Sequence, residues 1–145
     1  MIHAKSATNN WIELRLPVAT EYARMLRLIV SGMASRLDFD IDCLDDIKIA
    51  VEEAYLMAIA CDFVKAVVVN LRYQDTYLEV IFQGIVPPKE SQDDQLRKQV
   101  DYGMFIIEAV VDEAEFTEGP GGNSLRLVKM LATIPDRGAA GGSSA

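Results

Sequence analysis

The chain has 145 residues, half of them hydrophobic, and a formal net charge of −8 at pH 7. This length suits one domain with a substantial core, and the negative charge argues against direct binding to nucleic acid, whose phosphates would be repelled. No apolar run is long enough to span a membrane. The polar start MIHAKSATNN lacks the apolar segment of a signal peptide. We therefore expect a cytoplasmic protein that does not enter a membrane.

The cysteines and the histidine exclude several kinds of catalytic site. Cys43 and Cys61 fall on one predicted helix, roughly 27 Å apart along its axis, so they cannot form a disulfide with each other. His3 is the single histidine and lies in a terminus that we expect to be frayed. A zinc site, a Cys–His nucleophile and a Ser–His–Asp triad are therefore excluded.

The spacing of apolar residues predicts the elements of the fold. They are a strand over 11–16, helices over 20–37 and 40–63, a hairpin of 66–74 and 77–83, a long connection over 84–101 with one helical turn near 92–98, a helix over 103–111, and a hairpin of 113–118 and 124–130. We predict an α+β fold, a two-layer sandwich with helices on one face of a mostly antiparallel sheet. Residues 10–133 would form this domain, between a flexible N-terminus (1–9) and a disordered tail (134–145).

The predicted helix over 40–63 carries an unusual charge. After Ile47 the helix is apolar nearly all round, so we expect it to lie in the core. Lys48 and Glu52 are four residues apart and can pair at its rim. Glu53 has only apolar neighbours one turn away, and a lone carboxylate on an apolar face is costly. Glu53 is therefore expected to have a role beyond packing.

Seven blocks of the sequence resemble the anti-sigma-factor serine kinases of the RsbW type. They are WIELRLP (11–17), EYAR (21–24), SGMASR (31–36), DIKIAVEEA (46–54), GMFII (103–107), VDE (111–113) and GPGG (119–122), in the family's order. The resemblance implies the histidine-kinase-like (GHKL) ATPase fold. It also implies a homodimer that holds a sigma factor inactive and uses ATP and Mg²⁺ to phosphorylate a serine of an anti-anti-sigma partner. Such partner switching controls transcription in stress response or sporulation.

The sequence departs from this family in the nucleotide site. The family's central helix carries a glutamate, the catalytic base, and four residues later an asparagine that holds Mg²⁺. Glu53 matches the base, but Met57 replaces the asparagine, and a thioether is a poor ligand for a hard cation. The family's second glycine box keeps Gly103 alone, which could equally be a helix-start glycine. Ser124 lies near the position of the family's threonine.

The adenine box departs further. The family places an aspartate and two glycines after the third strand, whereas residues 81–88 are IFQGIVPP and contain no carboxylate. Only Gly84 remains, beside Phe82 and Gln83. Pro87 and Pro88 remove two backbone N–H donors that could hold phosphate. The simplest interpretation is that Met57 and Phe82 are core residues that fill an emptied pocket.

Three functions are compatible with these features. The leading hypothesis is a pseudo-kinase that binds a sigma factor or an anti-anti-sigma protein through Arg24, Arg27 and the 87–101 loop. Without the resemblance, a solvated helix face would explain these arginines. The alternative is an active serine/threonine kinase whose Mg²⁺ ligands come from the loop, namely Asp93, Asp94 or Asp101. The third is a dimeric scaffold that holds another small molecule.

Overall fold

The computed structural model describes residues 2–4, 10–35, 40–61, 65–74, 76–85, 93–119 and 122–130. The strands are β1 (Ile2–Ala4), β2 (Ile12–Pro17), β3 (Ala66–Tyr73), β4 (Tyr77–Gln83), β5 (Glu113–Gly119) and β6 (Gly122–Met130). The helices are α1 (Ala23–Ala34), preceded by a 3-10 turn (Thr20–Tyr22), then α2 (Ile41–Cys61) and α3 (Asp94–Val110).

Within these residues the strands form one antiparallel sheet in the order β1-β2-β3-β4-β6-β5. Alternate residues of β2, β3, β4 and β6 are buried and form the core with the apolar sides of the three helices. The helices therefore cover one face of the sheet, which confirms the predicted two-layer α+β fold. We call the opposite face of the sheet the outer face.

The central helix α2 is anchored at both ends. Asp40 caps its start, where the carboxylate accepts a 2.9 Å hydrogen bond from the N–H of Asp42. In the second half of α2, the hydroxyl of the buried Tyr55 lies 2.7 Å from the carbonyl oxygen of Pro17 and 2.8 Å from that of Ala19. These contacts fix α2 against the end of β2 and so determine where Glu53 and Met57 lie.

The long connection predicted over 84–101 is wrong in its last part, because α3 begins at Asp94. Asp93 caps this helix, since its carboxylate accepts hydrogen bonds from the N–H groups of Gln95 and Leu96 at 2.9 and 3.3 Å. The first two turns are largely exposed and polar. The strong cap, rather than an apolar stripe, therefore marks the start of the helix.

Two other predictions change at the edges of the domain. The backbone of Ile2–Ala4 pairs with β2, so an edge strand lies within the segment 1–9, for which no strand was predicted. The first helix divides into a 3-10 turn and α1. The predicted tail over 134–145 lies outside the described residues. In the part of the chain that the structure describes, no helix has both the length and the apolarity needed to cross a membrane.

Candidate functional site

A close contact between helices in the predicted site joins Gly103 of α3 to Met57 of α2. A Cβ atom added to Gly103 would lie 2.6 Å from Sδ and 2.9 Å from Cγ of Met57. Met57 is 2% exposed, so its side chain fills the space between the two helices. A Cβ atom at Gly103 would therefore force the Met57 side chain to shift and would overpack the space between the helices.

Glu53 lies beside this contact, one turn earlier on α2. Its Oε2 would be 3.9 Å from a Cβ atom at Gly103, and the side chain is partly exposed. Among the described residues it has no hydrogen-bond or ion-pair partner. Burial, and then the charge of Glu52, raise the pKa of Glu53 above its ordinary value of 4.5. The structure therefore keeps a partly exposed, ionisable carboxylate beside the contact of α2 with α3.

Two features of the described residues 82–85 argue against a phosphate cradle at the end of β4. Phe82 and Ile85 are fully buried in the core. Gly84 has a positive φ of 88°, but its N–H already donates a 2.8 Å hydrogen bond to the carbonyl oxygen of Asn123. Val86, Pro87 and Pro88 lie outside the described residues. The N–H of Gly84 is therefore not free to hold a phosphate.

Gln83 and Ser124 lie on the outer face of the sheet, away from Glu53 and Met57. Their neighbours Phe82 and Leu125 point into the core, and side chains alternate along a strand. The amide of Gln83 donates to Oδ1 of Asn70 at 2.8 Å, and the hydroxyls of Ser124 and Thr117 are 2.6 Å apart. These four residues and Asn123 help line a shallow groove of about 270 Å³. The predicted site residues therefore divide between the two faces of the sheet.

The described residues around Met57 do not fit Mg²⁺. Met57 offers a buried thioether where an oxygen ligand is required. The aspartates proposed as substitutes lie at or on α3: Asp93 is its N-cap, Asp94 pairs with Arg97, and Asp101 is exposed. Across the described residues, no three His, Cys, Asp or Glu side chains are grouped so as to hold a metal ion.

The two arginines of α1 differ in their surroundings. Arg24 is exposed, whereas Arg27 is half-buried, with its Nε 3.6 Å from Oε1 of Glu52. The predicted Lys48–Glu52 pair is wrong, since Lys48 instead lies 3.9 Å from Oδ1 of Asp45. Packing of α1 along α2 brings Arg27 within reach of Glu52, which sequence spacing within one helix cannot reveal. Arg24 is therefore the more accessible of the two for a partner.

The outer face carries an ion-pair network that the sequence analysis missed. Glu79 is 4% exposed there and binds the guanidinium groups of Arg72 and Arg126 on the strands either side. Burial raises the pKa of Glu79, but its hydrogen bonds to Arg126 and Arg72 outweigh burial, so the pKa lies below the ordinary value. Trp11 stacks on Arg72, with its ring centroid 4.4 Å from Cζ. Opposite charges at outward positions of neighbouring strands are the sequence pattern that could have revealed it.

Comparisons with known proteins agree with this fold. The family model for the histidine kinase-like ATPase domain matches residues 16–129. The chain is 31% identical over 121 residues to serine-protein kinase RsbW of Listeria monocytogenes serotype 4a, covering 72% of this chain and 77% of that protein. It is 29% identical over 143 residues to serine-protein kinase RsbW of Staphylococcus epidermidis, covering 86% and 89%.

A solved structure shows the same fold. The crystal structure of the RsbU and RsbW domains of Rv1364c from Mycobacterium tuberculosis superposes with a TM-score of 0.61 at 21% identity. The match covers 83% of this chain and 32% of that chain. This match supports the fold, and the family is shown by the family model and by the relative that is 31% identical. The chain belongs to the histidine kinase-like ATPase domain family, among the relatives of the RsbW serine-protein kinases.

Proposed function

We propose that this protein is a regulatory binding protein of the RsbW type that no longer turns over ATP. It would act as a homodimer in partner switching, binding a sigma factor, an anti-anti-sigma protein, or both. The curated relatives carry the name serine-protein kinase, which supports the family role but not the chemistry of this chain. The observation that carries the proposal is the buried contact of Met57 with Gly103.

This contact lies where the resemblance places the metal ligand. Phosphoryl transfer depends on positioning the nucleotide and on the charge of the metal ion. Met57 provides no oxygen, and the N–H of Gly84 is bonded to Asn123. No carboxylate is present in residues 81–88 to bind an adenine amino group. These are separate defects, so correcting one would not restore the site.

Titration calorimetry with ATP, with and without Mg²⁺, tests this proposal. We expect no heat of binding and no increase in Tm at millimolar ATP. The Met57→Asn variant is the control, and it should also fail to bind because the adenine carboxylate is still missing. Mg²⁺-dependent binding by the parent protein would overturn the proposal. Binding gained through Met57→Asn alone would show that the metal ligand was the single defect.

One observation favours the alternative of an active serine/threonine kinase. Glu53 is retained and partly exposed, and burial followed by the charge of Glu52 raises its pKa, as suits a general base. This alternative needs a metal site of oxygen ligands near Glu53. The positions of Asp93 and Asp94, a helix cap and an ion-pair partner, do not supply it. The calorimetric titration distinguishes the two functions.

Arg24 is the proposed anchor for a sigma factor on α1. It is exposed, and Met25 and Leu28 beside it are 46% and 67% exposed, so α1 offers a cation next to apolar surface. We expect Arg24→Glu to weaken sigma-factor binding by at least about tenfold, or 1.4 kcal/mol. Lys65→Glu, the same charge change at another exposed residue, should leave the Kd unchanged. If Arg24→Glu binds as tightly as the parent in surface plasmon resonance, the partner surface is not on α1.

A further inference from the structure

A row of neutral hydrogen-bonding side chains crosses the outer face near one end of the sheet. Gln83 of β4 lies opposite Ser124 of β6, and Ser124 lies opposite Thr117 of β5. Asn70 of β3 continues the row, because its amide oxygen accepts a hydrogen bond from the amide of Gln83. Neighbouring strands are roughly 4.8 Å apart, so the row extends over roughly 14 Å. These side chains therefore form one continuous polar surface across four adjacent strands.

Part of the hydrogen-bonding capacity of this row is unused within the described residues. The bond between Gln83 and Asn70 occupies one N–H group and one amide oxygen. It leaves both N–H groups of Asn70 and the amide oxygen of Gln83 for another partner. The hydroxyls of Thr117 and Ser124 share one hydrogen bond, so one of their two O–H groups can still donate. The row therefore presents donors and acceptors side by side.

The groove above this row, of about 270 Å³, is almost free of charge. Its lining also includes Ile81, Glu118 and Gly122. Of the described residues that line it, none carries a positive charge, and Glu118 is the single acid. An anion would be repelled by Glu118 with no cation to hold it, and one exposed carboxylate holds a cation weakly in water. Since Ile81 is the one large apolar side chain in this lining, the groove favours a small, neutral, polar ligand.

We propose that this groove, which we call the polyol groove, binds a neutral polyol of the size of one sugar ring. Each hydroxyl of a polyol can both donate and accept, so adjacent hydroxyls match the adjacent donors and acceptors of the row. Ile81 lies between Asn70 and Arg126 in the strand register and would contact the C–H groups of the ring. The volume is just below the roughly 300–1,000 Å³ of pockets for drug-sized molecules, which limits the ligand to about one ring.

The polyol groove is separate from the sites of the proposed function. It lies on the outer face, whereas Glu53 and Met57 lie on helix α2, which covers the inner face. Arg24 is on helix α1, also on the inner side. Binding of a polyol and binding of ATP or a sigma factor can therefore be tested independently, and either proposal can fail without the other.

The test is an NMR titration of the full chain with myo-inositol and with D-glucose, two neutral polyols of one ring. We expect at least one of them to bind with a Kd of about 1 mM, because a small ligand in a shallow groove replaces hydrogen bonds to water. The shift changes should be confined to the residues that line the groove. D-Glucuronate, which adds a carboxylate to the glucose ring, should bind about threefold more weakly than D-glucose because Glu118 repels it.

Two variants remove hydrogen-bonding groups from the row. Gln83→Leu/Thr117→Val keeps side chains of similar volume and should weaken polyol binding by at least about tenfold. Asn70→Asp replaces both free N–H donors by oxygen and should have the same effect. The matched control is Gln74→Leu/Thr76→Val, the same two changes at the opposite end of the β3–β4 hairpin, roughly 20 Å from Gln83 along β4. The control should leave the Kd unchanged, and urea unfolding should show all variants folded.

Three results would overturn the proposal. The first is the absence of shift changes with both polyols at about 20 mM, well above the expected Kd. The second is an equal loss of affinity in the control and in the groove variants, because binding would then not depend on the row. The third is tighter binding of N-acetylglycinamide than of either polyol, since the groove would then recognise a peptide backbone.

Discussion

Replacing Gly103 by alanine is expected to destabilise the protein, although alanine is the better helix former. The added Cβ would lie 2.6 Å from Sδ of Met57, and Met57 is buried and cannot turn toward solvent. Overpacking of this kind costs about 1–3 kcal/mol, against a gain of about 0.5–1 kcal/mol from helix propensity. We expect a net loss of about 1–2 kcal/mol in the free energy of unfolding, measured by urea denaturation.

Gly32 provides the matched control in another helix. It is exposed on α1, and a Cβ atom there would have no heavy atom within 4 Å. Gly32→Ala should therefore stabilise the protein by about 0.5–1 kcal/mol. Opposite signs for the same substitution in two helices would isolate the steric contribution at Gly103.

The cause can be assigned to Met57 by a double-mutant cycle. Met57→Ala alone should cost about 2–5 kcal/mol, because it leaves a cavity in the core. In that background Gly103→Ala should become stabilising, since the clashing atoms are gone and the propensity gain remains. If Gly103→Ala is equally destabilising in both backgrounds, Met57 does not determine the spacing of α2 and α3. The main support for an occluded nucleotide site would then be lost.

The parts of the fold that could be predicted from sequence are those with a regular apolar pattern. The helix predicted over 40–63 corresponds to Ile41–Cys61, and its apolar stretch after Ile47 is buried as expected. The hairpin of β3 and β4 was predictable because buried and outward residues alternate. In both cases the burial of one face determines the local structure and also produces the pattern.

Elements held mainly by backbone or capping contacts could not be predicted in the same way. The first half of α3 is polar and depends on the Asp93 cap. In the sequence alone, a capping aspartate cannot be distinguished from an aspartate in a turn. The strand Ile2–Ala4 is three residues long and is held by pairing with β2. Neither element has a regular spacing of apolar residues from which it could be predicted.

The candidate site was predictable only as far as the resemblance reached. It grouped Gln83 and Ser124 with Glu53, but strand alternation places both on the outer face, opposite Phe82 and Leu125. Applying this alternation to the sequence would have corrected the grouping. The contact of Gly103 with Met57 joins residues 46 positions apart and depends on the crossing of two helices. No local pattern encodes that distance.

Glu79→Gln is expected to cost about 2–3 kcal/mol of stability at pH 7. Removing one partner of a buried ion pair typically costs about 3–5 kcal/mol, because the remaining charge is left uncompensated. Here two arginines lose their shared carboxylate, but their side chains are 27% and 26% exposed and stay partly hydrated, which reduces the cost. Glu115→Gln is the matched control: its side chain is 55% exposed and lies 3.2 Å from the same Arg126. It should change stability by less than about 1 kcal/mol.

The pH dependence separates the charge of Glu79 from its packing. Burial raises the pKa of Glu79, but the hydrogen bonds from Arg126 and Arg72 leave it below the ordinary value of 4.5. The ionised carboxylate therefore adds stability that is fully present above pH 4.5 and is lost as the pH falls through the lowered pKa. The stability difference between the parent and Glu79→Gln should accordingly shrink in acid, while the Glu115→Gln difference stays small throughout. A difference that persists in acid would mean that glutamine disturbs packing on the outer face. The Glu79 side chain would then stabilise the sheet through its packing and not through its charge.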